Sequence, residues 1–256
     1  MRETGVLIVG ATALACGLAV RLGKGCTVVE RGWGAGAEFA EAMRADPIDP
    51  GKVRAPQTEA LMEELSDRNA ISRRGEPHIP AFAGAFAGRF RASGCRVLLG
   101  TCVAGIERRE RGFLVTVFQP QEGYSEILAG QVIDTLPQDF MDCRKTFSLM
   151  LTDGDPDIGS GSDPFLLHGR FAGESILTFS VPRTCTLPQA QRMADEWLTA
   201  HRELLRGAKA VSPALAFGYR FDSAVDVTRD GVRYVPSASF SDAVSAFEGG
   251  EMLCLS

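Results

Sequence analysis

The chain has 256 residues, 45% of them hydrophobic and 23% charged, with a formal net charge of −5; this is an ordinary globular composition without the mark of disorder or of a collagen-like repeat. Neither sign of charge forms a long run, so a phosphate-backbone partner is not favoured and nucleic acid is set aside. Seven scattered cysteines (Cys16, Cys26, Cys95, Cys102, Cys143, Cys185, Cys254) form no C-x-x-C, and His78, His168 and His201 stand at no metal-ligand spacing, which argues against a metal site and for reduced thiols in a cytoplasm.

Val6-Leu7-Ile8-Val9 is a continuous β-prone run ended by Gly10, the pattern of a strand buried on both faces. Ala11 to Leu22 reads as a helix stopped by Gly23, and Cys26 to Glu30 as a second strand. A right-handed crossover makes these two strands parallel neighbours. The apolar stretch from Val6 to Val20 is too short to span a bilayer, and Glu3 offsets the charge of Arg2, so no export signal is expected.

Residues 31 to 57 are rich in Gly and Pro and read mostly as loop, with a short helix from Glu38 to Arg44. Thr58 to Leu65 reads as another short helix capped by Thr58. From Ile79 to Ala92, Phe82, Phe86 and Phe90 recur every four residues, a core-packing stripe on one helix face. Arg96 to Leu99, Val103 to Arg108, Phe113 to Gln119 and Glu126 to Leu128 then read as four strands, followed by Gln131 to Asp134 as a further short one. Beyond Pro137 the expected strands are Phe147 to Leu151, Ser175 to Val181 and Ala214 to Phe221. The clearest helix is Leu187 to Leu205, with Pro188 at its start, Met193, Trp197, Leu198 and Leu204 as its apolar side, and Gly207 at its end.

A phosphate-binding β-α turn needs backbone N–H groups that an anion can approach and a helix N-terminus facing it. In the usual G-x-G-x-x-G spacing the chain has Gly10, Thr12 and Ala15; Ala is compatible with the third place, while Thr12 adds a side chain where a pyrophosphate would pass. Glu30 stands 20 residues after Gly10, at the end of the second strand, where a carboxylate can accept hydrogen bonds from an adenosine ribose. A carboxylate there repels a 2′-phosphate, which disfavours NADP and leaves FAD and NAD open. The alternative is a Rossmann-like unit that binds nothing, with Glu30 a solvated strand end.

Val6 to Gly10, Val28-Val29-Glu30-Arg31-Gly32, and Gly34 and Gly36 just beyond, resemble the opening of the FAD-dependent oxidoreductases of the glutathione-reductase-like type. The resemblance continues through a helix, the run Cys95 to Glu107, a β-meander and Val132-Ile133-Asp134. Arg233 to Phe240 with Ala243 to Glu251 looks like that family's closing strand, loop and helix. It implies an α/β fold: a Rossmann-like FAD-binding domain with a parallel sheet and a β-meander, made of residues 1–137 and 230–256, and an inserted α+β substrate or cap domain at 138–229. It implies FAD as cofactor, held around Gly10, Thr12, Ala13, Ala15, Glu30, Arg31, Gly36, Thr135 and Ser237, with the main chain of Val103 at the adenine. The chain departs from the family where Thr135-Leu136-Pro137 replaces Ala-Thr-Gly and where the Gly-Asp pair that meets the ribityl chain is missing; Asp242 is the nearest substitute.

The expected function is flavin-mediated hydride or electron transfer on a small-molecule substrate, with the flavin carrying the redox chemistry. No side chain is assigned as catalytic; Arg170, Arg183, His168, His201 and Tyr219 are the residues of the inserted region that can meet a substrate, and each also reads as surface or packing. Two other readings are a partner-dependent or non-catalytic flavoprotein-like subunit that has lost part of the site, acting beside a larger chain, and an NAD-dependent enzyme. A homo-oligomer is compatible with the sequence.

Overall fold

Every residue from Val6 to Val9 is buried, as a run apolar on both faces requires. In the computed structural model, which describes residues 2–159 and 161–255, the chain runs β1 (Arg2–Val9), α1 (Ala13–Leu22), β2 (Cys26–Val29), α2 (Ala37–Ala40), α3 (Pro56–Asp67), α4 (Pro80–Ser93), β3 (Arg96–Leu98), β4 (Cys102–Arg109), β5 (Gly112–Gln119) and β6 (Gly123–Asp134). It continues through β7 (Arg144–Thr152), β8 (Phe165–His168), β9 (Ser175–Val181), α5 (Leu187–Ala200), β10 (Lys209–Pro213) and β11 (Gly218–Arg220), and closes with β12 (Val227–Arg229), β13 (Val232–Tyr234) and α6 (Ala243–Met252).

Strands β13, β6, β1, β2 and β3 lie side by side and all parallel. Val6 and Ile8 face the helices α1, α3, α4 and α6, together with Phe82, Phe86 and Phe90. Leu7 and Val9 face the opposite way, onto Val115, Val117 and Ile127 of the meander β4–β5–β6. The period of two along β1 thus splits one apolar run between two cores. The second sheet, β10-β7-β9-β8 with β11 also on β7, is antiparallel. Its Phe147, Leu149, Leu177 and Phe179 pack on Ala190 and Ala194 of α5. The fold is therefore the mixed α/β architecture expected, with a Rossmann-like parallel sheet and a meander.

Helices α1 and α6 meet at two glycines. A Cβ on Gly17 would lie 1.9 Å from the Phe247 carbonyl oxygen, and one on Gly250 would lie 1.9 Å from that of Leu14. Only hydrogen at both positions lets the two backbones come this close.

Several elements differ from the sequence reading. Glu126–Leu128 and Gln131–Asp134 are one strand, because Gly130 comes opposite Gly5 of β1 and, lacking a Cβ that would sit 2.8 Å from the Gly5 oxygen, lets the pairing run on. Thr58 lies inside α3, which starts at Pro56. Its N-terminus is capped from α6: Glu248 accepts from the N–H groups of Arg54 and Ala55 (2.5 and 2.8 Å), and Glu251 from those of Gln57 and Thr58 (both 3.0 Å) and from the Thr58 hydroxyl (2.9 Å). These carboxylates fill open helix donors and complement the helix dipole.

The helix expected over Glu38–Arg44 is the shorter α2, after which Met43 takes a positive φ. That expected over Leu187–Leu205 ends at Ala200 and passes into a 3₁₀ turn over Arg202–Leu205. Its buried positions are the small Ala190 and Ala194, and Met193 is exposed. The Ala214–Phe221 strand shrinks to β11, while β8 and β10 carry no alternating pattern that would have announced them. Among the described residues no helix is long and apolar enough to cross a membrane.

Candidate functional site

Strand β1 ends at the carboxyl edge of the parallel sheet, the edge at which ligands bind in open α/β folds. Gly10 leaves it with φ +93°, and a Cβ there would lie 2.8 Å from Leu136 Cδ2 and from Thr135 Oγ1. Glycine is thus needed both for the backbone conformation and for the closeness of the Thr135–Leu136 segment.

The first three helical residues of α1 have N–H groups without helical partners, and each has a protein partner. Ala13 donates to Glu38 Oε1 (2.8 Å), Leu14 to Ser237 Oγ (3.3 Å) and Ala15 to Thr12 Oγ1 (3.1 Å), while Cys16 makes the first helical bond, to the Thr12 carbonyl (2.9 Å). Thr12 is the N-cap, and its own hydroxyl donates to Thr135 Oγ1 (2.8 Å), which donates in turn to the Val9 carbonyl (2.8 Å). Its side chain is bound up inside the turn. The group placed against the helix end is the carboxylate of Glu38.

Glu30 follows β2 immediately. Its Oε2 accepts from Ala11 N–H (2.7 Å) and its Oε1 from Gly32 N–H (2.5 Å). Each carboxylate oxygen keeps a second lone pair for a hydroxyl donor. The Glu30 carbonyl accepts from Thr101 N–H (2.8 Å), and Gly100 N–H donates to the Gly32 carbonyl (2.9 Å), which anchors the loop before β4 against the same edge. Val103, on β4, is half-buried against the core that contains Val9 and Val29. Gly36, at φ +69°, ties its N–H to the Ala11 carbonyl (2.8 Å). Gly10, Thr12, Ala13, Ala15, Glu30, Gly36, Thr135 and Ser237 therefore converge on one turn. Arg31 is exposed and has no hydrogen-bond or ion-pair partner among the described residues.

Two residues at this site carry no sequence signal. Glu38 accepts from the Ser237 hydroxyl (2.7 Å) as well as from Ala13, while its Oε2 is shut off from solvent without a partner. Burial pushes its carboxyl upward, opposed by the Ser237 and Ala13 hydrogen bonds and by Arg44. Arg44 is itself buried and donates to the carbonyls of Tyr219, Ala238, Phe240 and Ser241 at 2.8 to 3.2 Å, with Asp46 beside it at 3.5 Å. It clips the segment after β2 to β11 and to the loop before α6. Asp46 also takes Arg220 in a two-pronged pair (2.7 and 2.9 Å).

Asp134, at the end of β6, is pushed up to about 6 by burial, against the hydrogen bond it accepts from Leu136 N–H (2.9 Å). Asp242 caps α6. Its Oδ1 accepts from Val244 and Ser245 N–H, and its Oδ2 from the Ser241 and Ser245 hydroxyls. All of its reach is spent on its own helix.

In the region after β6, the residues considered for substrate contact are dispersed. His168 and Arg170 share a cleft of about 460 Å³ with Arg74, Glu76 and Glu174, away from the turn. Arg183 donates to the carbonyls of Asp139, Met141 and Cys143. His201 stacks on Trp197 with ring centroids 4.5 Å apart. Tyr219 is half-buried on β11, and burial raises its phenol.

No family model and no curated protein matches the chain. Solved structures do. A flavoprotein/dehydrogenase from Cytophaga hutchinsonii aligns over 98% of this chain and 76% of its own, at 14% identity and a TM-score of 0.62. The myxobacterial chondrochloren halogenase, a variant of FAD-dependent halogenases, aligns over 98% and 73% at 11% identity and 0.66. Glycine oxidase from Geobacillus kaustophilus aligns over 98% and 93% at 12% identity and 0.63. At such identities the likeness establishes the shared fold.

Proposed function

We propose that the chain is a FAD-binding oxidoreductase acting on a small-molecule substrate. The observation that carries this reading is Glu30, a carboxylate just after β2 that is already bonded to the turn between β1 and α1, in a fold shared with a flavoprotein/dehydrogenase and a variant of FAD-dependent halogenases. In this reading Glu30 takes the adenosine ribose through its remaining lone pairs, the main chain of Val103 faces the adenine, and the N-terminus of α1 receives the diphosphate. The donor set fits the oxygens of a diphosphate, since it already holds a carboxyl oxygen of Glu38. Bound FAD would supply hydride or electron transfer; the chain's part is to bind and orient.

The domain division belongs to the same reading: 1–137 with 230–256 as the cofactor domain, and 138–229 as the substrate or cap domain. A cytoplasmic location is consistent with seven free cysteines. The test is spectroscopic. Purified protein incubated with FAD and desalted should keep the flavin absorbance bands at one equivalent; a colourless protein that takes up none contradicts the reading.

A second reading is favoured by one observation, the occupancy of the Ala13, Leu14 and Ala15 donors of α1 by protein groups. Here the chain is a flavoprotein-like subunit without bound flavin, dependent on a larger partner. The same desalting experiment separates the two.

A further inference from the structure

In a β-α-β nucleotide site the ligand's diphosphate sits at the N-terminus of the first helix, where open N–H groups and the helix dipole favour negative charge. In this chain that place is taken. Ala13 N–H and the Ser237 hydroxyl both converge on Glu38 Oε1, at 2.8 and 2.7 Å, and Ser237 Oγ in turn accepts from Leu14 N–H. The other carboxylate oxygen, Oε2, is buried with no partner at all. A side chain placed only to cap the helix would be better served by two satisfied oxygens, since a buried unpaired acceptor carries its full desolvation cost. The Glu38 carboxylate thus uses one oxygen on these donors and leaves the other enclosed and unpaired.

We infer that Glu38 is an internal stand-in for the cofactor's diphosphate, so that FAD enters by displacing this carboxylate from the α1 N-terminus. The inference rests on the dinucleotide reading of the site. The carboxyl group and a diphosphate do not share this seat, because Ala13 N–H and the Ser237 hydroxyl each offer a single hydrogen, and Glu38 Oε1 takes both. The displacement asks little of the backbone. Phe39 and Arg44 hold the surrounding segment in the core, and the enclosed group of Glu38 is its carboxyl, at the end of a rotatable side chain. Rotation of its side chain outward is enough to free Ala13 N–H and the Ser237 hydroxyl together. The chain therefore keeps its phosphate turn ordered while empty, at the expense of affinity. Removing the stand-in removes the competition.

The experiment compares wild type, Glu38→Gln and Glu38→Ala. Gln keeps an oxygen for Ala13 and Ser237 but no charge, and so guards against loss of fold; far-UV circular dichroism checks both variants. FAD is titrated with quenching of flavin fluorescence as the readout, and inorganic pyrophosphate with the shift in melting temperature. The expected result is FAD binding at least about tenfold tighter in Glu38→Gln and tighter again in Glu38→Ala, with a larger pyrophosphate-induced shift than in wild type. Unchanged or weaker binding of both probes by the folded variants overturns the inference. If pyrophosphate binding strengthens while none of the three proteins takes up FAD, the role of Glu38 stands and the flavin reading fails.

Discussion

Glu38 Oε1 lies 2.8 Å from the Ala13 amide, at the first turn of the helix that follows β1. Residues 25 apart are joined because Gly36 turns the chain in a left-handed conformation and ties it to Ala11 just before α2. The Rossmann fold concentrates donor capacity at this helix end, and in this protein it is the chain that uses it.

Asp134 gives a pH signature to the same edge of the sheet. Its folded value is pushed from 3.8 to about 6 by burial, so its neutral form is the one the fold prefers. The stability it contributes is fully present below about 3.8 and is lost as pH rises through about 6. Asp134→Asn is expected to be more stable than wild type above about pH 7, by an amount of order 2 kcal/mol, and to lose that advantage at about pH 4. Urea denaturation across this range checks it; a constant difference contradicts the assignment.

Arg44 donates to four carbonyls from two separate segments. Replacing it with Met keeps much of the volume but leaves those four carbonyls without their donor, while Asp46 keeps Arg220, at a cost of about 3 to 5 kcal/mol. Thermal melting should show a large loss, and Arg44→Lys should recover little of it because one ammonium cannot reproduce the planar fork.

The α1–α6 contact is tested by Gly17→Ala. The added methyl would sit 1.9 Å from the Phe247 carbonyl oxygen, so the helices must separate, with an expected loss of about 3 kcal/mol. Alanine is otherwise the better helix former, so a neutral or stabilising effect in chemical denaturation would mean that the helices are further apart than described.

Glu251→Ala removes the acceptor for the Gln57 and Thr58 amides and the Thr58 hydroxyl. The expected cost is about 1 to 2 kcal/mol, that of a lost helix cap. Hydrogen exchange should show faster opening at the start of α3 and little change in the meander.

The β1–α1–β2 unit was legible in the sequence through its continuous apolar runs bounded by Gly10 and Gly23, the Phe82–Phe86–Phe90 stripe through its helical spacing, and the meander through β-prone runs separated by Gly100, Gly112 and Gly123. Gly130 misled, since a glycine admitting a close strand neighbour looks like a glycine ending a strand. Thr58 misled in the same way: its cap comes from Glu248 and Glu251, some 190 residues away in the chain. Glu30 announced itself through its spacing from Gly10. Glu38 and Arg44 did not, because their roles arise from long-range contacts with Ser237, Ala238 and Phe240.

The most direct test of the proposed function is equilibrium titration of the purified chain with FAD, beside Glu30→Ala, using flavin fluorescence. Saturable binding at one equivalent, weakened at least about tenfold in Glu30→Ala, is the result predicted for a ribose held at the end of β2. Absence of saturable binding in wild type, or equal affinity in the two proteins, would contradict it.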